Sequence, residues 1–318
     1  MVFEPFEDFG DVQTIAARLG DRDPAVRRLA VIALAGTASP DAVGPLLSAA
    51  VDDDAGVRVQ AAQALGEFDG PEVAAGLARL LTQPEAEVAR AAAASLAELK
   101  APLAGEPLLP LATHPAPFVR AAILRALRGL RLPEALAPAR AALADPEPEV
   151  RLQAIGIIAY LKREDALPAL IAAARDPDAE VRAVAIGALA FTRQEAAAAA
   201  IAEALGDADW RVRAAAAETL GRAGLASAAP ALAAALGDTF WQVRQKALRS
   251  LGALKARNAV GAIAPLLGHE IAIVRKEAAA ALGEIADPAT LAALDAHSDD
   301  PDPEVRKTVR WALTRLAA

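Results

Sequence analysis

One short segment recurs along this chain at a fixed spacing, and that spacing constrains the fold more than any other feature. The clearest copy spans residues 176–189 and has Val181 at its sixth position. The equivalent valine returns every 31 residues, ten times and without an insertion, and these valines number the repeats one to ten: Val26, Val57, Val88, Val119, Val150, Val181, Val212, Val243, Val274 and Val305. A fixed period of this length is typical of a solenoid, in which each repeat buries its apolar face only against its neighbours.

The apolar pattern inside each repeat predicts two helices, each of about ten to twelve residues. In repeat six, Leu167 and Leu170 recur at helical spacing in the first helix, and Val181, Ala185 and Leu189 do so in the second. Aromatic residues are only 3% of the chain and alanine is abundant, which favours closely packed helices. We therefore predict an all-α protein, a right-handed α-solenoid of ten helical hairpins.

The turn between the two helices carries Asp-Pro or a close relative of it. Aspartate caps the start of a helix, and proline suits its first turn. Glycines lie near the end of several second helices, where we expect the chain to reverse with a positive φ. These glycines are Gly66, Gly221, Gly252 and Gly283.

The motif Asp-Pro-x-x-x-Val-Arg-x-x-Ala-x-x-x-Leu, seen in residues 176–189, resembles the short HEAT repeats first noted in phycobilin lyase subunits. The resemblance covers residues 11–318, which we expect to form one elongated domain. It implies an α-solenoid whose second helices line the concave face. Because HEAT solenoids serve as scaffolds, adaptors, chaperones and occasionally enzymes, the resemblance leaves the function open.

Arginine follows the marker valine in every repeat except the third, which has Ala89. A cation near a helix N-terminus is disfavoured by the helix dipole, so its recurrence implies an anion nearby. An aspartate five residues before most of the valines could supply that anion within a repeat or between adjacent repeats. We predict that these arginines form a structural ladder: Arg27, Arg58, Arg120, Arg151, Arg182, Arg213, Arg244, Arg275 and Arg306.

The three histidines do not predict a metal site. His114 and His269 occupy the turn aspartate position, where capping is expected, and His297 lies in a first-helix region. His269-Glu270 resembles the His-Glu pairs of deoxyhypusine hydroxylase, a di-iron HEAT enzyme. In that family the pair lies within the helix, two and three places after the valine, and no repeat here has histidine there. We expect no bound metal and no cofactor.

Composition removes several other functions. There is no cysteine, which excludes disulfides, thiolate metal sites and thiol nucleophiles. No Gly-x-Ser-x-Gly or phosphate-binding glycine loop occurs, so an enzyme is not expected. The first 100 residues hold 16 acidic and 8 basic side chains, while the rest is balanced, which argues against a nucleic-acid coat. The acidic N-terminus and the lack of long apolar runs predict a cytoplasmic protein without a membrane span.

The segment 1–10 lies outside the repeats and places Phe3, Phe6 and Phe9 among acidic residues. Two interpretations stay open. The phenylalanines could cover the apolar face of the first hairpin, as a terminal repeat requires, or they could dock onto a partner.

The exposed ridge of the second helices, three, six and ten residues after the valine, has mixed charges in repeats seven to nine. A solenoid DNA glycosylase would need a basic stripe with a central acid there. In the middle of the chain the ridge becomes apolar and carries two glycines, which suggests either a ligand at close range or tight helix packing. The residues are Leu152, Gly156 and Tyr160 in repeat five, and Val184, Gly187 and Phe191 in repeat six.

Trp210 and Trp241 occupy one equivalent position, two residues before the valine, in repeats seven and eight. The other repeats have proline or alanine there. With Phe240 and Arg211 beside them, the tryptophans form a predicted partner site of the composition found at interface hot spots, or else they cover a gap between hairpins.

These patterns predict a monomeric, non-catalytic scaffold or assembly chaperone that binds a protein through its concave face and the turn edge of repeats seven and eight. The alternatives are a lyase-type chaperone for a tetrapyrrole or similar cofactor and, less favoured, a nucleic-acid-binding HEAT-like protein.

Overall fold

A computed structural model describes residues 11–317, so the segment 1–10 and its phenylalanines lie outside the described residues. Within that range every regular element is an α-helix or a 3-10 helix, and the all-α prediction is confirmed. The chain divides into two compact units, Met1–Leu161 and Lys162–Ala318. The first unit holds repeats one to five, and the second holds repeats six to ten.

The second helix of every repeat is a regular α-helix that begins just after the turn. An aspartate accepts the N–H bonds at several of these starts, as Asp54 does from Val57 and Asp178 does from Glu180. In the first unit these helices are Pro24–Gly36, Ala55–Leu65, Ala86–Leu96, Pro117–Leu130 and Pro148–Leu161. In the second unit they are Ala179–Ala188, Trp210–Arg222, Trp241–Ala253, Ala272–Ile285 and Pro303–Ala317.

Most first helices are shorter than the predicted ten to twelve residues, the exception being Pro71–Leu81 with 11, and most begin or end in a 3-10 turn. The α-helical parts are Val12–Ala17, Val43–Ala49, Pro71–Leu81, Leu136–Ala142, Leu167–Ala173, Glu195–Glu203, Ala229–Ala234, Val260–Ile263 and Leu291–Asp295. Repeat four has only the 3-10 segments Pro102–Gly105 and Leu109–Thr113. In repeat four, Pro107 and Pro110 interrupt the first helix because they lack the N–H that a helix interior needs. Val12–Ala17 and Glu195–Glu203 are short without any proline.

The core of each unit is a layer between the first and second helices. The marker valines from Val57 onward are buried, and Leu65, Leu96, Leu220 and Leu251, eight residues after their valines, are fully buried. Each second helix also packs on the next one within the unit, as Trp210–Arg222 packs on Trp241–Ala253. Each repeat thereby buries its apolar face against its neighbours.

The prediction of positive φ at Gly66, Gly221, Gly252 and Gly283 is wrong. Gly66 has φ −65° at a helix C-cap, and the other three lie inside helices. The chain reverses three residues later, at the position twelve after the valine, where φ is positive in six repeats: Ala38, Arg131, Lys162, Gly224, Lys255 and Ala286. The misplaced glycines serve close packing, because a Cβ at Gly252 would lie 3.0 Å from Ala281 Cα on the next second helix.

Candidate functional site

In repeats two, five, seven, eight and ten the turn is organised by its own aspartate and by an arginine of the preceding repeat. In repeat eight, Asp238 Oδ1 accepts the N–H of Phe240 at 2.8 Å, which shapes the turn. Arg213 of repeat seven donates to the same carboxylate through Nε at 2.6 Å and Nη2 at 2.9 Å. Its Nη1 donates back to the carbonyl oxygen of Asp207 in its own turn at 2.9 Å. One guanidinium therefore joins two turns.

The same bidentate bridge recurs within each unit at a separation of 25 residues. Burial of both partners and two parallel hydrogen bonds make such pairs stronger than ordinary surface ion pairs. The pairs are Arg27 with Asp52, Arg120 with Asp145, Arg182 with Asp207, and Arg275 with Asp300. The arginine hydrogen bond is the main cause that lowers the pKa of Asp145, Asp238 and Asp300 below its ordinary value.

Three ladder arginines have different surroundings. Arg58 pairs with Glu85 at 2.9 Å because Gln83 replaces the aspartate of repeat three. Arg244 contacts Nε2 of His269, the histidine that replaces the aspartate of repeat nine. Arg306, in repeat ten, donates to the carbonyl oxygens of Asp300 and Pro301.

On the outside of this ladder, repeats seven and eight carry an aromatic stack. Trp210 is the first residue of the second helix of repeat seven, and Phe240 is the N-cap of the second helix of repeat eight. Their ring centroids are 5.6 Å apart and their planes differ by 13°. Trp210 is half-buried, whereas Phe240 is 42% exposed, so the stack forms part of the surface.

The cation in contact with this stack is Arg213, whereas Arg211, which follows Trp210, has its ion pair within its own turn. The guanidinium carbon of Arg213 lies 5.6 Å from the Phe240 ring centroid, within the range of a cation–π contact. Arg211 instead pairs with Asp209 of its own turn, with Nη2 and Oδ2 2.7 Å apart. That pair lowers the pKa of Asp209 to about 2. No sequence signal selects Arg213, because the spacing alone leaves open whether a ladder arginine pairs within its own repeat or with the next one.

Trp241 begins the second helix of repeat eight and is half-buried, like Trp210 one repeat earlier. We define the edge cluster as Trp210, Arg213, Phe240 and Trp241. The guanidinium of Arg213 is used inside the ladder, while ring surface remains accessible to solvent. Such a cluster can bind a partner by ring stacking and burial of apolar area, and it offers no group for covalent chemistry.

The ridge of second helices in the second unit carries charges that neutralise each other between repeats. Lys246 Nζ lies 2.9 Å from Glu218 Oε2, and Arg249 Nη2 lies 2.6 Å from Glu277 Oε1. Glu277 is 6% exposed and also accepts from Gln245 at 3.1 Å. Because these cations already have acidic partners, this ridge is not a basic stripe of the kind that binds nucleic acid.

In the first unit, Leu152, Gly156 and Tyr160 lie on the second helix of repeat five, two, six and ten residues after Val150. Leu152 is therefore one residue before the ridge position, which Gln153 occupies. Tyr160 is 46% exposed, and Arg131 lies 5.1 Å over its ring. A Cβ at Gly156 would meet Arg128 Cδ at 2.8 Å, so an arginine side chain covers that glycine.

In the second unit, Val184 and Gly187 lie on the second helix of repeat six, and Phe191 ends the 3-10 turn that follows. Val184 is 39% exposed, and Gly187 and Phe191 are half-buried. A Cβ at Gly187 would meet no described atom within 4 Å. Tight helix packing therefore does not account for Gly187.

Two of the three histidines cap turns, and the third, His297, lies 2.8 Å through Nδ1 from the carbonyl oxygen of Ala293. His114 Nδ1 accepts the N–H of Ala116 at 3.1 Å, and His269 Nδ1 accepts that of Ile271 at 3.0 Å. Across residues 11–317, no three side chains of the His, Cys, Asp or Glu types come together in a way that could hold a metal ion. No helix of the same range has the length and apolar content needed to cross a bilayer.

The stacked helical hairpins, joined by the arginine ladder, form an α-solenoid. The edge cluster is exposed on its surface. The HEAT repeat pattern matches residues 12–97, 77–147, 137–221, 170–240 and 229–314. This chain belongs to the HEAT repeat family. No curated protein matches it.

Solved structures with a similar fold include an engineered protein with 23% identity and a TM-score of 0.52, covering 97% of this chain and 99% of that one. A chain in the structure of Kap95p with RanGDP has 16% identity and a TM-score of 0.62, covering 96% and 48%. Importin beta has 16% identity and a TM-score of 0.64, covering 96% and 50%. This chain spans about half the length of the last two, and the likeness shows the fold alone.

Proposed function

We propose that this protein is a non-catalytic scaffold or assembly chaperone that holds a protein partner. Its membership of the HEAT repeat family supports this role. So does its similarity in fold to Kap95p, which binds RanGDP. The proposed cytoplasmic location and monomeric state rest on the sequence alone.

The observation that carries the proposal is the exposed stack of Trp210 on Phe240. The fold does not require an aromatic at the Trp210 position, because eight repeats have proline or alanine there. Tryptophan and arginine are enriched at interface hot spots, where an anchor ring is enclosed when the partner binds. Asp238 holds the Arg213 guanidinium in place, and this guanidinium lies over the Phe240 ring. The ring is therefore already ordered before a partner binds.

The apolar ridge positions are a second proposed contact. In repeat six, Val184, Gly187 and Phe191 leave an apolar strip with open space beside the glycine. In repeat five, Leu152, Gly156 and Tyr160 form a strip of similar composition, with Arg128 over the glycine. The open face at Gly187 suits a helix or extended peptide of a partner, whereas a partner at repeat five would have to displace Arg128 from Gly156.

Capture from native lysate with the immobilised full chain tests the role of the edge cluster. The double variant Trp210→Ala, Phe240→Ala should lose most of the bound protein while keeping its helicity and nearly the same melting temperature. Trp311→Ala is the matched control, because Trp311 is also an exposed tryptophan, at 39%, but lies in repeat ten. Capture that survives the double variant would contradict the proposal. A fall of many degrees in melting temperature would assign the stack to packing.

The alternative of a tetrapyrrole-handling chaperone rests on the resemblance to phycobilin lyase repeats. It predicts that the purified protein gains a visible absorption band when a tetrapyrrole is added. A role in binding nucleic acid predicts a salt-dependent mobility shift of labelled DNA or RNA, which the paired charges of the second-unit ridge disfavour.

A further inference from the structure

The arginine ladder has one gap, at Ala89 in repeat three. Each of the nine ladder arginines donates to at least one carbonyl oxygen of its own turn. Arg120, for example, donates to the carbonyls of His114 and Pro115, both at 2.9 Å. In repeat three the equivalent carbonyls belong to Gln83 and Pro84, and neither accepts a side-chain hydrogen bond within the described part of the chain.

A pocket of about 320 Å³ lies at this gap. Its wall includes Ala89, both residues of the turn (Gln83 and Pro84), His114 of the next repeat, and Phe118. Ala89 is 6% exposed and stands at the ladder position of repeat three. The pocket is therefore the space that a ladder arginine fills elsewhere.

The structure contains a filled version of the same arrangement in repeats eight and nine. There the turn residue is also a histidine, His269, and the Arg244 guanidinium contacts its Nε2 while donating to the carbonyl of Asp238 at 2.5 Å. His114 and His269 both accept a backbone N–H at Nδ1, so their rings are held alike. In repeat eight Arg244 supplies a guanidinium, whereas in repeat three the equivalent residue is Ala89, which supplies none.

The chemistry of the wall favours a planar cation. The carbonyl oxygens of Gln83 and Pro84 are acceptors. His114 adds none, because its Nδ1 already accepts the N–H of Ala116 and its Nε2 then carries a proton. Phe118 is 48% exposed and presents a ring that can cover a guanidinium face. The first 100 residues hold 16 acidic and 8 basic side chains, which adds a negative field. Arg90 on the wall opposes a cation.

We propose that this pocket is a receptor slot for a guanidinium group, supplied by an arginine side chain of a partner. The partner arginine would take the place of the missing ladder residue and donate to the carbonyls of Gln83 and Pro84. Only the source of the arginine rests on the proposed scaffold function. The slot itself can be tested with a small probe, so failure at the slot and failure of partner capture at the edge cluster are separate results.

The test uses N-acetyl-arginine-methylamide and the full chain, with the imidazole NMR signals as the readout. The chain has three histidines, so the His114 signal can be assigned by substitution. The arginine probe should shift the His114 signal in a saturable way and leave His297 unchanged. The matching citrulline probe, which has the same shape without charge, should bind about tenfold more weakly.

Three variants decide whether the slot is responsible. Ala89→Arg should restore the ladder, raise the melting temperature and abolish the response to the probe. Ala89→Met fills the space without donors and should also abolish it, which keeps the test valid if Ala89→Arg fails to fold. Arg90→Gln should strengthen binding of the arginine probe because it removes the opposing charge.

Several outcomes would overturn the proposal: no change of the His114 signal in the native chain, the same response in Ala89→Met, or weaker binding in Arg90→Gln. A response to N-acetylglycine in place of the arginine probe would show an anion site and would also overturn it.

Discussion

Gly221 and Ser250 face each other where the second helices of repeats seven and eight touch, and a Cβ on Gly221 would lie 2.8 Å from Ser250 Cα. Ser250 Oγ donates to the carbonyl oxygen of Ala217 at 2.7 Å in the same buried contact. Gly66 meets Ser95 in the same way, with its Cβ position 2.7 Å from Ser95 Oγ. The glycine nine residues after the valine therefore sets how closely two repeats can approach.

Gly221→Ala and Gly187→Ala should have opposite effects on stability. At Gly221 the added methyl meets backbone atoms and should lower the free energy of unfolding by about 1–3 kcal/mol. At Gly187 no described atom lies within 4 Å of the new Cβ. Alanine should raise stability there by about 1 kcal/mol through helix propensity. Urea unfolding of both variants measures these changes. Changes of the same sign in the free energy of unfolding would show that the contact at Gly221 does not set the stability of the variant.

Ala286→Gly should stabilise the protein. Ala286 has φ 51° and closes the second helix of repeat nine in the left-handed region, which glycine adopts without the Cβ penalty. We expect a gain of about 0.5–1 kcal/mol in the free energy of unfolding. Gly224→Ala is the reverse control, since Gly224 has φ 67° at the equivalent position of repeat seven and should lose stability. Calorimetry of both variants measures the effect.

Stability should fall in acid because of the ladder aspartates. The hydrogen bond from the paired arginine lowers the folded-state pKa of Asp145, Asp238 and Asp300 below the unfolded value of about 3.9. The stabilising effect is therefore complete above that unfolded pKa and is lost as pH falls through the folded pKa. Melting temperature should change little from about pH 8 to pH 5 and drop below about pH 4. Asp238→Asn should make the fall in melting temperature below about pH 4 smaller. An equal fall in the variant and the native chain would contradict this origin.

Glu277→Gln should loosen the ridge of the second unit. The variant keeps an acceptor for Gln245 but loses the carboxylate that Arg249 approaches through Nε at 3.0 Å and Nη2 at 2.6 Å. Because the Arg249 side chain is 58% exposed, solvent screening limits the expected loss to about 1 kcal/mol. The difference from the native chain should shrink at high salt. A loss that does not depend on salt would indicate packing.

The position of each residue within its repeat could be predicted from sequence, because a solenoid repeats its contacts with the same 31-residue period as its sequence. Val181, Arg182 and Asp207 could be assigned to the second helix, the ladder and the next turn from spacing alone. The first helices could not be predicted in length, because proline content varies at positions such as Pro107 and Pro110, where no regular pattern constrains it.

The edge cluster was only partly predictable. Trp210, Phe240 and Trp241 stand out in the sequence because other repeats have small residues at the tryptophan position. Which cation lies on the Phe240 ring could not be deduced, because Arg211 and Arg213 are both near in sequence and point to different repeats. Arg211 pairs with Asp209 two residues away, while Arg213 spans 25 residues to Asp238.

The sequence by itself determined the ten repeats and the places of the ladder arginines through the 31-residue period, and the two helices of each repeat through apolar residues at helical spacing. Only the tertiary structure decided the role of Gly221, the partner of Arg213 and the pocket beside Ala89. Each of these depends on a distance between side chains of adjacent repeats, and that distance is set by how the hairpins pack against each other, which the spacing of residues along one helix does not contain.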